Sequence, residues 1–364
     1  MHIKLVPRGQ TSRAMQYATP LIAAGLTIVA GIILFSALGR DPFEALYVFF
    51  IRPLTTLYGL SELALKTTPL LLIALGLMIG FRGGVWNIGA EGQLTMGAIA
   101  GGGVALAFYG QEGPFLLPLM LVAGVLGGVA WGMIPALLRN RFNANEILTS
   151  LMLTYVAIQA LGYLVHGPWR DPDGFNFPET RMFGDQGLMP VLLEGTRLHG
   201  GVILGLLAMA GAWVFVSRSF QGFKISVVGQ APQAGAYAGF SSKKVVLISF
   251  AISGGLAGLA GIVEVSGTIG QLQPIISPGY GFAAIIVAFL GRLHPIGVLL
   301  ASVLMSLMYL GGESLQIIMK LPLAVTGVFQ GLLLFFVLGA EVLVRYQLKV
   351  EWGGRGARPR REQA

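Results

Sequence analysis

Glu62-Leu-Ala-Leu-Lys-Thr-Thr-Pro-Leu-Leu-Leu-Ile-Ala-Leu-Gly-Leu-Met-Ile-Gly-Phe81 decides the fold class. At about 1.5 Å of helical rise per residue, this stretch reaches about 30 Å, the thickness of the hydrocarbon layer of a bilayer. Comparable runs recur at Pro20 to Gly39, Gly92 to Tyr109, Pro114 to Leu138, Glu146 to Val165, Gly200 to Val216, Val245 to Glu264, Gln271 to Leu290, Pro295 to Gly312 and Leu321 to Ala340. They predict an all-α, polytopic integral membrane helical bundle of about ten transmembrane helices. Composition agrees. Of the 364 residues, 55% are hydrophobic and only 11% charged, too apolar a balance for a water-soluble core to absorb.

Orientation follows from Lys and Arg, which crowd the loops that stay in the cytoplasm. With the amino terminus inside, Arg82, Arg139, Arg141, Arg218, Lys224, Lys243, Lys244 and Arg292 all fall on the cytoplasmic side. The expected organisation is a basic cytoplasmic leader at residues 1–19, a transmembrane domain at 20–340 and a basic cytoplasmic tail at 341–364, with both termini cytoplasmic. Residues 218–244 form a cytoplasmic loop and 166–199 the longest external one. The first run is too long for a signal peptide and lacks an obvious cleavage site, so it reads as an uncleaved anchor. The net charge of +8 is explained by this inside bias, without nucleic acid as a partner. The bilayer itself is the partner, and the plasma (inner) membrane the expected location.

Two runs are interrupted. Gly83, Gly84, Gly89 and Gly92 break the chain between Arg82 and Gln93, and Pro274, Pro278 and Gly279 break it between Gln271 and Gly281. Non-helical backbone is tolerated at membrane depth only where it faces protein or a water-filled cavity, and transporters line solute paths with such breaks. A kinked packing helix or a surface loop would read the same way. At the first break Asn87, Glu91 and Gln93 set hydrogen-bonding groups among glycines. Two roles fit them: contacting a solute, or capping the free N–H groups of the interrupted helices. Glu264, Gln271 and Gln273 lie where they reach a central pathway near the outer face. The tract Ser253-Gly-Gly-Leu-Ala-Gly-Leu-Ala-Gly-Ile262 repeats small residues at helix-face spacing, a packing signal in lipid.

In the 218–244 loop, Pro232 followed by Gln-Ala-Gly-Ala-Tyr-Ala predicts a short helix across the cytoplasmic face. Its small side chains suit a groove in another protein. No phosphate-binding loop, His-Glu-x-x-His pair or Gly-x-Ser-x-Gly turn occurs, the four histidines are scattered, and there is no cysteine. The chain therefore does not read as an enzyme, and any ATP would be bound elsewhere.

Four segments carry a resemblance: Gly83-Gly-Val-Trp-Asn-Ile-Gly-Ala-Glu-Gly-Gln93, Asn145-Glu-Ile-Leu-Thr-Ser-Leu-Met-Leu-Thr-Tyr155, Val228-Gly-Gln-Ala-Pro-Gln-Ala-Gly-Ala-Tyr-Ala-Gly-Phe240 and Gly279-Tyr-Gly-Phe-Ala-Ala-Ile-Ile-Val-Ala-Phe-Leu-Gly-Arg292. Together they resemble the permease subunits of ATP-binding-cassette (ABC) importers in the branched-chain amino acid, ribose and nucleoside permease family, nearest the nucleoside (simple sugar) branch. The resemblance implies a translocation subunit without an ATPase site of its own. It binds no cofactor directly, while ATP and Mg are used by cytoplasmic ATP-binding subunits. These would dock at Gly229, Gln230, Pro232, Gln233, Ala236, Tyr237 and Gly239. A second permease subunit, identical or different, and an extracytoplasmic substrate-binding protein complete the implied complex. Gln230 departs from the pattern, where Asn is common. Few charges in the expected membrane interior suit a small neutral polar solute such as a nucleoside or sugar. Two other readings stay open: an ABC permease for branched-chain amino acids, and an ion-coupled secondary transporter using Glu91, Glu264 or Glu313.

Overall fold

Helix propensity in lipid is set by the backbone, because every N–H and C=O must find a partner inside its own segment. The computed structural model follows that rule. It describes residues 2–7, 13–110, 113–322 and 346–351 with scattered positions between 324 and 339. Helices α1 (Arg13–Ala37), α2 (Pro42–Leu46), α3 (Leu57–Arg82), α4 (Ala90–Ala107), α5 (Leu116–Phe142), α6 (Glu146–His166), α7 (Gly201–Arg218), α8 (Phe220–Gln230), α9 (Pro232–Tyr237), α10 (Ser242–Val263), α11 (Tyr280–Leu290) and α12 (Pro295–Met319) succeed one another. Among the described residues, six helices are long and apolar enough to cross a membrane: Leu57–Arg82, Leu116–Phe142, Glu146–His166, Gly201–Arg218, Ser242–Ile269 and Pro295–Met319.

Contacts divide the chain into two units, one of Met1–Arg52 with Gly311–Ala364, the other Pro53–Leu310. In the first unit aromatic residues gather as a cluster. Phe329 meets Phe35 and Phe49 with ring centroids 5.3 and 4.8 Å apart. This unit also departs from an all-helical chain. Strands β1 (His2–Pro7) and β2 (Tyr346–Glu351) pair antiparallel, with Ile3 opposite Val350 and Leu5 opposite Leu348. Alternating β-branched and aliphatic residues on both segments favour that pairing over helix. Parts of the last expected span, Leu321 to Ala340, part of the leader and most of the tail lie outside the described residues.

The second unit is built on α3, α4, α5 and α10. The small-residue tract does what close packing in lipid requires. A Cβ at Gly97 would meet the backbone of Gly258, and one at Gly128 the backbone of Gly254 and Gly258. Helix ends follow local chemistry. Thr56 Oγ1 accepts from Gly59 N–H at 3.0 Å to start α3, and Asn145 Oδ1 accepts from Ile147 N–H at 2.9 Å to start α6. Arg139 and Glu146, 2.5 Å apart, close the turn between α5 and α6.

Two expectations need correction. The run from Gln271 to Leu290 is helical only from Tyr280, because Pro274 and Pro278 lack the N–H a helix interior needs and Gly279 sits at φ +96°. The loop at 218–244 is two helices rather than one. Ser219 Oγ accepts from Gly222 N–H at 2.9 Å and nucleates α8 ahead of α9.

Candidate functional site

Both interruptions are present, and the chain brings them together. At the first, α3 stops at Gly83 and Gly84 turns the backbone with φ +67°, a conformation that suits a residue without Cβ. The extended stretch to Gly89 then leads into α4. At the second, α10 passes through a π turn at Glu264–Ile269, reverses at Gly270 and runs without helix to Gly279. Single π turns of this kind recur at functional positions.

Asn87 closes the first break. Its Nδ2 donates to Gln93 Oε1 at 2.7 Å and to Ser253 Oγ at 2.9 Å. Its Oδ1 accepts from Gln93 Nε2 at 3.0 Å and from Gly89 N–H at 3.0 Å. Both amides are almost fully buried, and Ser253, their partner, lies half-way along α10. A low dielectric makes such a set strong when complete and costly when one member is lost.

Glu91 closes the second. Its Oε2 accepts from Gly281 N–H at 2.6 Å, while Ser277 Oγ accepts from Tyr280 N–H at 2.8 Å and Gly279 N–H at 3.1 Å. A carboxylate on the first turn of α11 satisfies a free donor and complements the positive end of the helix dipole. A Cβ on Gly281 would run into the Glu91 backbone, so the starts of α4 and α11 approach as closely as two chains can. The second break is also stitched to the 166–199 loop. Gln271 Nε2 donates to Glu179 Oε2 at 2.7 Å, and Leu272 N–H to Thr180 Oγ1 at 3.0 Å. Gln273 is half-buried, and Glu264 is buried in the π turn beside Thr268.

Sequence reasoning missed a polar cluster around that turn. Arg197 grips Glu62 with two bonds, at 2.9 and 2.5 Å. The carboxylate raises the Arg197 pKa further above its ordinary value. His199 Nδ1 accepts from Gly201 N–H at 3.2 Å, and its Nε2 lies 3.4 Å from Thr268 Oγ1. Burial, helped by the Arg197 charge, pushes the His199 imidazole down to about 4, so it is neutral at pH 7. Glu62 and Lys66, one turn apart inside an apolar run, were the visible hint.

On the opposite end of α3 lies the short-helix region. Pro232 opens α9 at its first position, and Gln230, Gln233, Ala236 and Gly239 are exposed with it. Tyr237 is 94% exposed, an unusual state for a tyrosine in a folded chain. Phe240 packs against Phe220 and Phe223 at 6.1 and 6.3 Å, and Lys224 Nζ lies 4.3 Å above the Phe220 ring. Gly229 is half-buried, because it abuts the Arg82 carbonyl and Gly83. A presented helix, α9, is thus braced on α8, and α8 rests directly on the first break.

The family described as "branched-chain amino acid transport system / permease component" matches residues 59–338, which hold both breaks and the braced helix. This chain belongs to that family. The permease is a translocation component and a multi-pass integral protein of the plasma membrane. It is 34% identical to a glucose ABC transporter permease protein of Haloferax volcanii, over 98% of this chain and 96% of that one. It is 31% identical to a guanosine ABC transporter permease protein of Bacillus subtilis, over 89% and 94% of the two chains. A solved metal-chelate type ABC transporter in an inward-facing conformation covers 90% of the permease and 99% of its own chain at 15% identity, with a TM-score of 0.47, too distant to carry an argument. Among the described residues of the permease, no three His, Asp or Glu side chains gather to hold a metal ion.

Proposed function

We propose that this permease is the membrane-spanning half of an ABC importer for a small neutral polar solute, a nucleoside or sugar, with ATP and Mg bound by separate nucleotide-binding subunits. The observation that carries the reading is the stack of contacts from the exposed face of α9 through Gly229 on α8 to the Arg82 end of the first break. A partner that grips α9 and moves would push on the interruption in α3 and α4, and through Glu91 on the start of α11. ATP-driven movement then shifts the population between outward and inward access. Relatives named for glucose and guanosine support the solute class.

In this reading about ten spans place both termini in the cytoplasm, with α8 and α9 inside and the 166–199 loop outside, where a substrate-binding protein delivers the solute. A second permease, identical or different, faces this one. The chain binds no cofactor itself. Co-purification from detergent tests the docking. Wild-type permease is expected to retain its ATP-binding subunits, and Tyr237→Asp or Gln233→Glu to release them; retention by both variants would remove the docking claim. An ion-coupled carrier remains the second reading, favoured by the burial of Glu264 beside Thr268 and near Lys66.

A further inference from the structure

Four of the polar side chains expected to read the solute are already engaged. Asn87 and Gln93 bond one another, Glu91 caps α11, and Gln271 holds Glu179. What the first break turns outward instead is an aromatic plane. Trp86 stacks on Phe289 with ring centroids 5.6 Å apart and planes inclined by 25°. Phe289 in turn stacks on Phe81 at 4.9 Å and 19°, and Phe81 leans on Trp86 at 5.2 Å. Phe81 closes α3 and Phe289 stands in the last turn of α11, so the indole is held by one helix from each break. Trp86 nevertheless stays 42% exposed.

An indole held by two rings and still 42% exposed offers its uncovered part as a rigid apolar plate, with few rotamers left to lose on binding. Its position matters as much as its shape. Non-helical backbone at membrane depth faces protein or water, and paired helix breaks border solute paths. Sugars and nucleobases share one feature that needs no hydrogen bond to be recognised, a flat ring face. We propose that the free face of Trp86 is a stacking station for the ring of the transported solute, on the Arg82 side of the junction between the breaks. The proposal rests on the importer reading. It names the ring as the part of the cargo this chain recognises, and Trp86 as the residue that recognises it.

The test uses the complete complex in proteoliposomes, with ATP-driven uptake of guanosine, glucose and leucine measured in parallel. Base-on-aromatic stacking losses imply that Trp86→Ala and Trp86→Leu raise the half-saturating concentration of the ring solute roughly 5-fold or more. The maximal rate is expected to stay within about 2-fold, and Trp86→Phe to restore most of the affinity. Leu keeps apolar bulk and hence the fold, so its failure to replace the ring separates stacking from packing. Whether guanosine or glucose shows the effect identifies the ring. An unchanged half-saturating concentration in the Ala and Leu variants, or a fall in maximal rate alone, would assign Trp86 to packing at the membrane interface and overturn the stacking claim while leaving the importer intact. A wild-type complex that carries leucine only would also overturn it. A complex that carries nothing in response to ATP would take the importer reading down as well.

Discussion

The two interruptions solve one problem in different ways. The first is closed mainly by its own amides, Asn87 with Gln93, helped from outside by Ser253 on α10 and by Ser150 Oγ, which accepts from Ile88 N–H. The second has only a short internal set, Ser277 Oγ accepting from Gly279 and Tyr280 N–H, and is otherwise held from outside. It borrows Glu91 from the first, Thr180 and Glu179 from the 166–199 loop, and ends beside the Glu62–Arg197–His199 cluster. A break closed mostly by its own amides is suited to transmit force, and one held mostly from outside to yield to it. The first is also the one that α8 touches through Gly229.

The sharpest way to break this contrast is at the junction itself. Gly281→Val places a branched side chain into the Glu91 backbone and is expected to cost more than about 3 kcal/mol, read as loss of monodisperse protein in detergent. Acid comes next, and acts at the start of the second break through His199. Folded His199 titrates near 4 and an unfolded imidazole near 6.5, so between those values the unfolded chain takes up the proton first. The His199 contribution to stability is therefore full above about pH 6.5 and is lost as the pH drops toward 4, a loss of no more than about 3 kcal/mol. Thermal melting across this window should show wild type losing stability relative to His199→Gln as the pH falls.

Asn87→Ala strands Gln93 and Ser253, whereas Glu91→Ala strands the Gly281 N–H; each should cost about 1–3 kcal/mol in the same melting assay. Glu91→Gln keeps an acceptor and should cost less, which Asn87→Asp should not, since its carboxylate would face Gln93 Oε1. Gln271→Ala removes a partly buried bond to the loop and should cost about 1 kcal/mol or less.

Much of this was legible in the chain. Apolar runs mark the spans, glycines and prolines mark the interruptions, and Pro232 marks the start of α9. What stayed hidden is non-local. Nothing near Asn87 points to Ser253 on another helix, nor does anything near Gly281 point to Glu91. Arg197 and Glu62 stand far apart in sequence, and their pairing depends on how α3 and α7 pack. Helix α8 escaped for another reason, since Phe220-Gln-Gly-Phe-Lys-Ile-Ser-Val-Val-Gly-Gln230 has two glycines and several β-branched residues, and only its Ser219 cap and its seat against α3 favour helix. The predicted span from Gln271 failed because its hydropathy is high while Pro274 and Pro278 remove the donors that a helix interior would use.

A permease powered through α9 must be idle alone. Solute uptake into proteoliposomes should appear only when the ATP-binding subunits and ATP are both present, and should disappear with Tyr237→Asp even though the variant melts like wild type. Accumulation driven by a proton or sodium gradient, with no nucleotide-binding subunit in the vesicle, would contradict it.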